Sequence, residues 1–419
     1  MAGPLARLTL DVSPLRHGQY RLLFGAQLVS AFGSMLSSVA LPYQTYVITH
    51  SSLAVGLLGL AEFPLLLTLA FLGGVFADTH DRRRIVQAGD LAFAAATLGL
   101  VINAATPAPR LWPLYVVAAL TAGLDALQRP ALDALVPRLV PRDELPAAAA
   151  LSSLRYTVFG VVGPAVAGVT IAWFGFSVAY AIDVATFVTS FALLCGLRAV
   201  EPTGAQPASV SRALQGFRYA MGRRDLLGTY LVDFIAMFFG MPNALFPALA
   251  SQYGGAAVVG AFYAAPALGA MLAAVASGWT ARVRRHGRAI VIAALVWGVA
   301  IASLGAIHGF VPALAALAVA GAADAISGLF RQTIWNQTIP DALRGRLAGI
   351  EFISYASGPT LGDVEAGAVA AVFGTRVSVL SGGVLCVVGV AVAALALPEL
   401  WRYDSAAVPT HAESAELLR

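Results

Sequence analysis

Residues 73–86 read "GGVFADTHDRRRIV" and hold five charges, Asp78, Asp81, Arg82, Arg83 and Arg84. No other stretch of the first hundred residues crowds charge in this way. On either side lie apolar runs of about twenty residues, the length that crosses a bilayer as a helix. The stretch therefore reads as a short water-facing turn between two membrane spans.

The composition extends that reading to the whole chain. Of 419 residues 59% are hydrophobic and 11% charged, with a mean hydropathy of +0.79. Soluble domains carry roughly 25% charged residues, so a water-facing surface could not be assembled here. Apolar runs fall at 20–48, 53–77, 85–105, 111–136, 147–173 and 176–197, then at 226–250, 257–280, 289–308, 311–335, 347–373 and 376–398. Each suits a hydrocarbon core of about 30 Å. The expected fold class is an all-α polytopic membrane protein with twelve transmembrane helices in two six-helix bundles.

Arginine sets the expected orientation. With the N-terminus in the cytoplasm, only Arg110 and Arg376 fall in outside loops, while Arg129, Arg155 and Arg331 lie within spans. All the remaining arginines then sit inside, as the positive-inside rule requires. Both termini are expected in the cytoplasm. Residues 1–19 show no separate apolar core or small-residue cleavage site, so no removable signal peptide is expected.

Residues 199–225 form the longest polar interruption. They are rich in Pro, Gly and Ser and end in "VSRALQGFRYAMGRR", a basic amphipathic pattern suited to the inner leaflet. The expected domains are thus 1–198, a linker at 199–225, a second bundle at 226–400 and a polar tail at 401–419. The halves echo each other at an offset of about 199 residues, which pairs Pro141 with Pro340 and Asp125 with Asp324. "SGWTARVRRHGRAIV" from Ser277 echoes the opening stretch, and Gly163-Pro164 is echoed by Gly358-Pro359. A duplicated six-helix unit is the architecture of many secondary transporters.

Chemistry is excluded more readily than assigned. All 26 basic residues are arginine. A P-loop and a Schiff base both need lysine, so neither exists here. Cys195 and Cys386 lie inside apolar runs, no HExxH or GxSxG occurs, and neither a metal site nor a cofactor is expected. A multispanning enzyme lacks its catalytic cluster, and a receptor or scaffold would need a larger soluble part than a linker of about 27 residues.

The chain resembles the major facilitator superfamily along essentially its whole length. That family's loop signature is G-x-x-x-D-(R/K)-x-G-(R/x)-(R/K)-(R/K), matched by Gly74, Asp78, Arg82, Arg83 and Arg84, with departures at Thr79 and Asp81. A narrower likeness is to its enterobactin-exporter-like efflux branch. It rests on "GGVFADTHDRRR", "RPALDALVPRLVPRDEL", "GFRYA", "TIPDALRGRLAGI" and "LPELWRY". The resemblance implies proton-driven export of a siderophore or drug-like amphiphile through a bacterial inner membrane, with uptake of a nutrient as the alternative within the fold. Its implied partners are a small-molecule substrate, protons and the lipid bilayer, with no nucleic acid and a monomer as the working unit. Gly163, Pro164 and Gly168 partly match the antiporter signature GxxxGPxxGG, with Phe159 and Ala167 replacing two of its glycines. In the family the residue matching Asp78 reaches the N-terminal end of span 11, here near Gly345, so the opening stretch is expected to act as a gate latch. Asp81 is expected to pair with Arg129, Arg142 or Arg155.

Charge within a bilayer costs about 2.5–3.5 kcal/mol on insertion scales, so each such residue needs a partner or a task. Asp125, Arg129 and Asp133 follow i, i+4, i+8 spacing on one face of span 4, where an ion-pair ladder including Arg155 is the simple structural reading. Asp324 and Arg331 occupy span 10, and Asp233 sits about 10 Å into span 7 at ~1.5 Å per residue. In the family, spans 1, 4, 7 and 10 line the central cavity. At least one of Asp125, Asp233 and Asp324 is therefore the expected proton carrier, with Glu62 in span 2 as competitor.

Overall fold

The computed structural model describes residues 11–198, 222–339 and 341–405, without the side chains at 71, 74, 75, 77, 78 and 341–356. Among the described residues the regular structure is helical. The principal helices are α1 (Gly18–Thr49), α2 (Ser52–Thr79), α3 (Arg82–Ala105), α4 (Trp112–Leu139) and α5 (Leu145–Cys195). After the linker come α6 (Arg224–Gly240), α7 (Phe246–Ala250), α8 (Ala256–Val275), α9 (His286–Ala306), α10 (Phe310–Thr338), α11 (Asp341–Phe373), α12 (Thr375–Ala396) and α13 (Pro398–Arg402).

Nine helical segments of the described residues are long and apolar enough to cross a membrane. One of them, Arg142–Cys195, is two spans, because Gly175 breaks α5 with φ 80° and ψ 176°. Residues 147–173 and 176–197 were expected as separate runs, and glycine supplies the left-handed backbone that parts them. α4, which carries Asp125, Arg129 and Asp133, and α11 complete the twelve. α4 continues through Pro130 without interruption.

The expected run at 226–250 is not one helix. α6 ends at Gly240, a 3-10 turn covers Asn243–Leu245, and α7 follows. Pro242 lacks an N–H and helps to stop α6 there. The backbone groups this break releases are met by the protein: Asp363 of α11 accepts from the Ala244 N–H at 2.9 Å, and the Tyr263 hydroxyl donates to the Asn243 carbonyl at 3.1 Å. In lipid no water could do so. The run expected at 257–280 is likewise helical only to Val275, then tightens into a 3-10 segment, Ser277–Arg282.

Contacts divide the chain into two compact units, residues 1–49 with 61–208, and 50–60 with 209–419. Within the first, α5 packs on α1 and α3, and α3 on α4. Within the second, α9 packs on α12 and α10, α10 on α8, and α6 on α11 and α12. The two Gly-Pro pairs take matching places. A Cβ on Gly163 would meet Met35 Cβ of α1 at 2.5 Å, and one on Gly358 would meet Met237 Cβ of α6 at 2.9 Å. Each glycine lets the fifth helix of its half press against the first, the close approach that small residues allow in membranes. Gly168 is buried, while Pro164 and Pro359 lie inside α5 and α11 without ending them.

The opening stretch is the α2–α3 junction. Asp81 is the N-cap of α3, its carboxylate accepting from the Arg83 N–H at 3.0 Å. The expected pairing of Asp81 with Arg129, Arg142 or Arg155 does not form. Its nearest cation is Arg84, 4.0 Å away, because an acid just before a helix is held by the free amides of the first turn. Arg83 donates to the Leu197 carbonyl at 2.6 Å and Gln87 to the Leu194 carbonyl at 3.0 Å. These two bonds tie the start of α3 to the end of α5 and the residues just after it. Arg82 is buried and reaches the Ala134 carbonyl at 3.5 Å. Gly74 and Asp78 lie in the last turns of α2; the Asp78 side chain and the linker from 199 to 221 lie outside the described residues.

At the far end of the second unit α13 closes the fold. Arg224 donates to Glu399 at 2.9 Å, a bond that holds the Glu399 carboxyl below the usual carboxylate range. Asp363→Ala should leave the Ala244 N–H without an acceptor, at a cost of about 1–3 kcal/mol. The buried Cys386 thiol beside Gly240 provides the measurement. In C195S protein, D363A should lower the temperature at which a maleimide dye labels Cys386, and an unchanged temperature would remove Asp363 from this role.

Candidate functional site

Two helices of the second unit place their polar residues at helical spacing. On α6, Thr229 and Asp233 are one turn apart. On α10, Asp324, Arg331 and Trp335 follow i, i+7, i+11, so all three share a face. The structure brings these faces together. Arg331 makes an ion pair with Asp233, and its other terminal nitrogen lies 3.6 Å from Asp324. The Trp335 indole N–H donates to Thr229 Oγ1 at 2.9 Å, while its ring stacks on Tyr230 with centroids 5.3 Å apart. Side-chain exposure separates the acids: 8% for Asp233 and 43% for Asp324, with 11% for Arg331.

One arginine between two carboxylates leaves the group a cation short. The buried Asp233 takes the close pair and the exposed Asp324 keeps the looser one. Mutual attraction offsets desolvation only when the geometry is good and other hydrogen bonds help. The Trp335–Thr229 bond beside the pair fixes the relation of α6 to α10.

In the first unit Asp125 and Arg129 form an i, i+4 pair at 3.6 Å, both more than half exposed. Asp133 continues that face one turn further. The expected extension of this ladder to Arg155 is absent. Arg155 instead donates to Gln27 of α1 at 2.6 Å and lies over the Tyr156 ring at 4.9 Å. Glu62 is half-buried on α2, with no ion pair among the described residues. Asp183 is bonded by the Ser37 hydroxyl, which ties the second half of α5 to α1 and accounts for it as a packing residue.

Sequence reading missed Asp90. It is buried in α3, and Gln128 of α4 donates to both its carboxylate at 3.1 Å and the Val86 carbonyl at 2.8 Å. An acid within the run 85–105 was the available signal. Gln27 and Gln128 carried none, since an uncharged amide in an apolar run draws no notice until its partner is seen. No group of three or more His, Cys, Asp or Glu among the described residues could hold a metal ion.

Helices of this length and this arrangement define a multi-pass membrane protein of the major facilitator fold. The nucleoside transporter NupG shares it with a TM-score of 0.73 at 12% identity, covering 91% of this chain and all of that one. A POT family transporter in complex with 5-aminolevulinic acid gives 0.72 at 12% identity, covering 90% and 96%. A bacterial homologue of ferroportin in an inward-facing state gives 0.67 at 15%, covering 93% and 99%. The family model described as transmembrane secretion effector matches residues 9–417, and the chain belongs to that family of secondary transporters, not enzymes. Relatives include the Enterobactin exporter EntS of Shigella boydii serotype 18 and of Escherichia coli O139:H28. Each is 29% identical over 398 residues, covering 94% of this chain and 95% of theirs.

Arg331→Gln should strand Asp233 without its counter-ion and destabilise the protein by about 3–5 kcal/mol. The double variant D233N/R331Q, which removes both charges, should recover much of that loss. Thermal labelling of Cys386 reads both. Equal stability of R331Q and the parent would show that the pair does not hold α6 to α10.

Proposed function

We propose that this protein exports a small siderophore-like amphiphile across the cytoplasmic membrane of a bacterium, by alternating access and in exchange for protons. The observation that carries the export reading is the 29% identity to an enterobactin exporter, spread over 94% of this chain. Fold alone leaves direction open. The arginine distribution supports a cytoplasmic position for both termini, and the monomer is the proposed working unit. The proposed working parts are residues 1–198 and 226–400, joined by the linker 199–225 and followed by the tail 401–419.

The Asp233–Arg331–Asp324 group supports the coupling. An intramembrane acid is by default a functional candidate, with its partner named. Arg331 is held by Asp233, so Asp324 needs a second counter-charge, and a proton can supply it. Loading Asp324 from one side and emptying it to the other would link proton flow to the substrate cycle. Asp125, beside Arg129, is the corresponding carrier of the first unit, and Glu62 is a third site for the same task. Gly74, Asp78, Asp81, Arg82, Arg83 and Arg84 serve as the gate, and the Gly163-Pro164-Gly168 and Gly358-Pro359 elements as close-packed pivots.

Everted vesicles bearing the protein and an imposed proton gradient test this. Addition of a catecholate siderophore should release protons, read by a pH-sensitive dye, and D324N should abolish the release while keeping Cys386 protected. Proton movement in the opposite sense would indicate uptake. If Asp125→Asn, Asp233→Asn and Asp324→Asn all kept full proton-driven transport in proteoliposomes, coupling by these acids would be refuted.

A further inference from the structure

A groove runs along the outer face between α9 and α10. Its first chamber, about 530 Å³, begins at Trp279, Arg285 and Arg288 and continues over Ile292 and Val296 of α9 and Val319 of α10. A second chamber of about 520 Å³ shares Ile292, Val296 and Val319 and continues to Ser303 and Pro312. Small residues open the floor: Ala289 and Ala293 on α9 face Ala322 and Ala323 on α10. Arg285, Arg288, Ile292 and Val296 are spaced three, four and four apart, so both charges stand at one end of one helical stripe.

That end is distinctly cationic. Among the described residues neither Arg285 nor Arg288 has a carboxylate within ion-pair range. Arg288 Nε is enclosed and meets no protein acceptor, while its guanidinium lies over the Trp401 ring at 5.3 Å. α9 has no acid in its own first turn to offset the positive end of the helix, though Asp404 acts on His286 there.

We infer that this groove is a binding site for an anionic phospholipid, whose phosphate sits between Arg285 and Arg288 and whose acyl chain lies over Ile292 and Val296. Length agrees. Arg288 to Val299 spans about 16 Å at ~1.5 Å per residue, and one leaflet's hydrocarbon is about 15 Å, half of the ~30 Å core. The first chamber and the start of the second therefore take one leaflet's chain. Basic pockets between helices at a membrane surface select anionic headgroups by charge. Trp279 at the mouth suits the headgroup level, where indole rings concentrate. A zwitterionic lipid would fill the groove equally well but would bring its own cation to the two arginines.

Full-length protein in nanodiscs of equal phosphatidylglycerol and phosphatidylethanolamine tests the assignment, with retained lipid identified by native mass spectrometry. The parent should enrich phosphatidylglycerol by about thirtyfold, the scale expected of two surface arginines. R285Q/R288Q should retain lipid without headgroup preference, and A322W, which fills the floor, should retain neither lipid at this site. R110Q, at a loop arginine of the first unit, should behave as the parent. Equal retention of the two lipids by the parent, or undiminished enrichment in R285Q/R288Q, would overturn the assignment. Cys386 protection confirms folding of each variant. Should the double variant unfold, R285Q at its exposed position takes its place, with reduced enrichment supporting the site and full enrichment overturning it.

Discussion

Hydrocarbon offers no hydrogen bonds, so every polar group the helices carry into it must find its partner inside the protein. That constraint sorts the acids of this chain. Asp81 caps the start of α3, and Asp363 caps the break after α6. Asp90 and Asp183 are bound by Gln128 and Ser37 and join helices within the first unit. Each of these carboxylates has a structural task. Asp125, Asp233 and Asp324 instead lie against arginine, where charge rather than backbone sets the interaction.

The same constraint explains how much could be read from the residues alone. Twelve apolar runs followed from hydropathy, because a bilayer dictates length and leaves little freedom for the backbone. Asp233, Asp324 and Arg331 were also in view as charges within spans, but which of them pair was not. What escaped was local geometry. Pro242 did not announce a break in its run, since proline also occurs within continuous helices here, as Pro130, Pro164 and Pro359 show. Asp81 stood where the family signature has glycine and looked like an ion-pair partner. Its place just before Arg82 makes capping cheaper than reaching across to another helix.

The repeat is informative where it fails. An offset of 199 carries Asp125 to Asp324 but carries Arg129 to Gly328. The arginine of the second half stands at 331, nearly one turn further along. At i+4, Arg129 folds back on its own helix and remains half exposed with its acid. At i+7, Arg331 points away far enough to take Asp233 from α6 while still lying 3.6 Å from Asp324. A displacement of three residues thus turns a surface pair into an inter-helix bridge.

This shift gives the halves unequal electrostatics. In the first, the arginine pairs with Asp125 of its own helix and also acts on Asp133 one turn beyond. In the second, two acids share one arginine, and the deeper of them holds it. Were Asp324 neutralised, Arg331 would lose nothing from its bond to Asp233; were Asp233 neutralised, Arg331 would be released toward Asp324. The first change is the less disruptive of the two, because it leaves the buried pair and the Trp335–Thr229 bond in place. A carrier must change charge many times without unfolding its site. By that requirement the exposed member of the group, Asp324, is the acid free to cycle, and Asp233 is the fixed partner that keeps the arginine where it is.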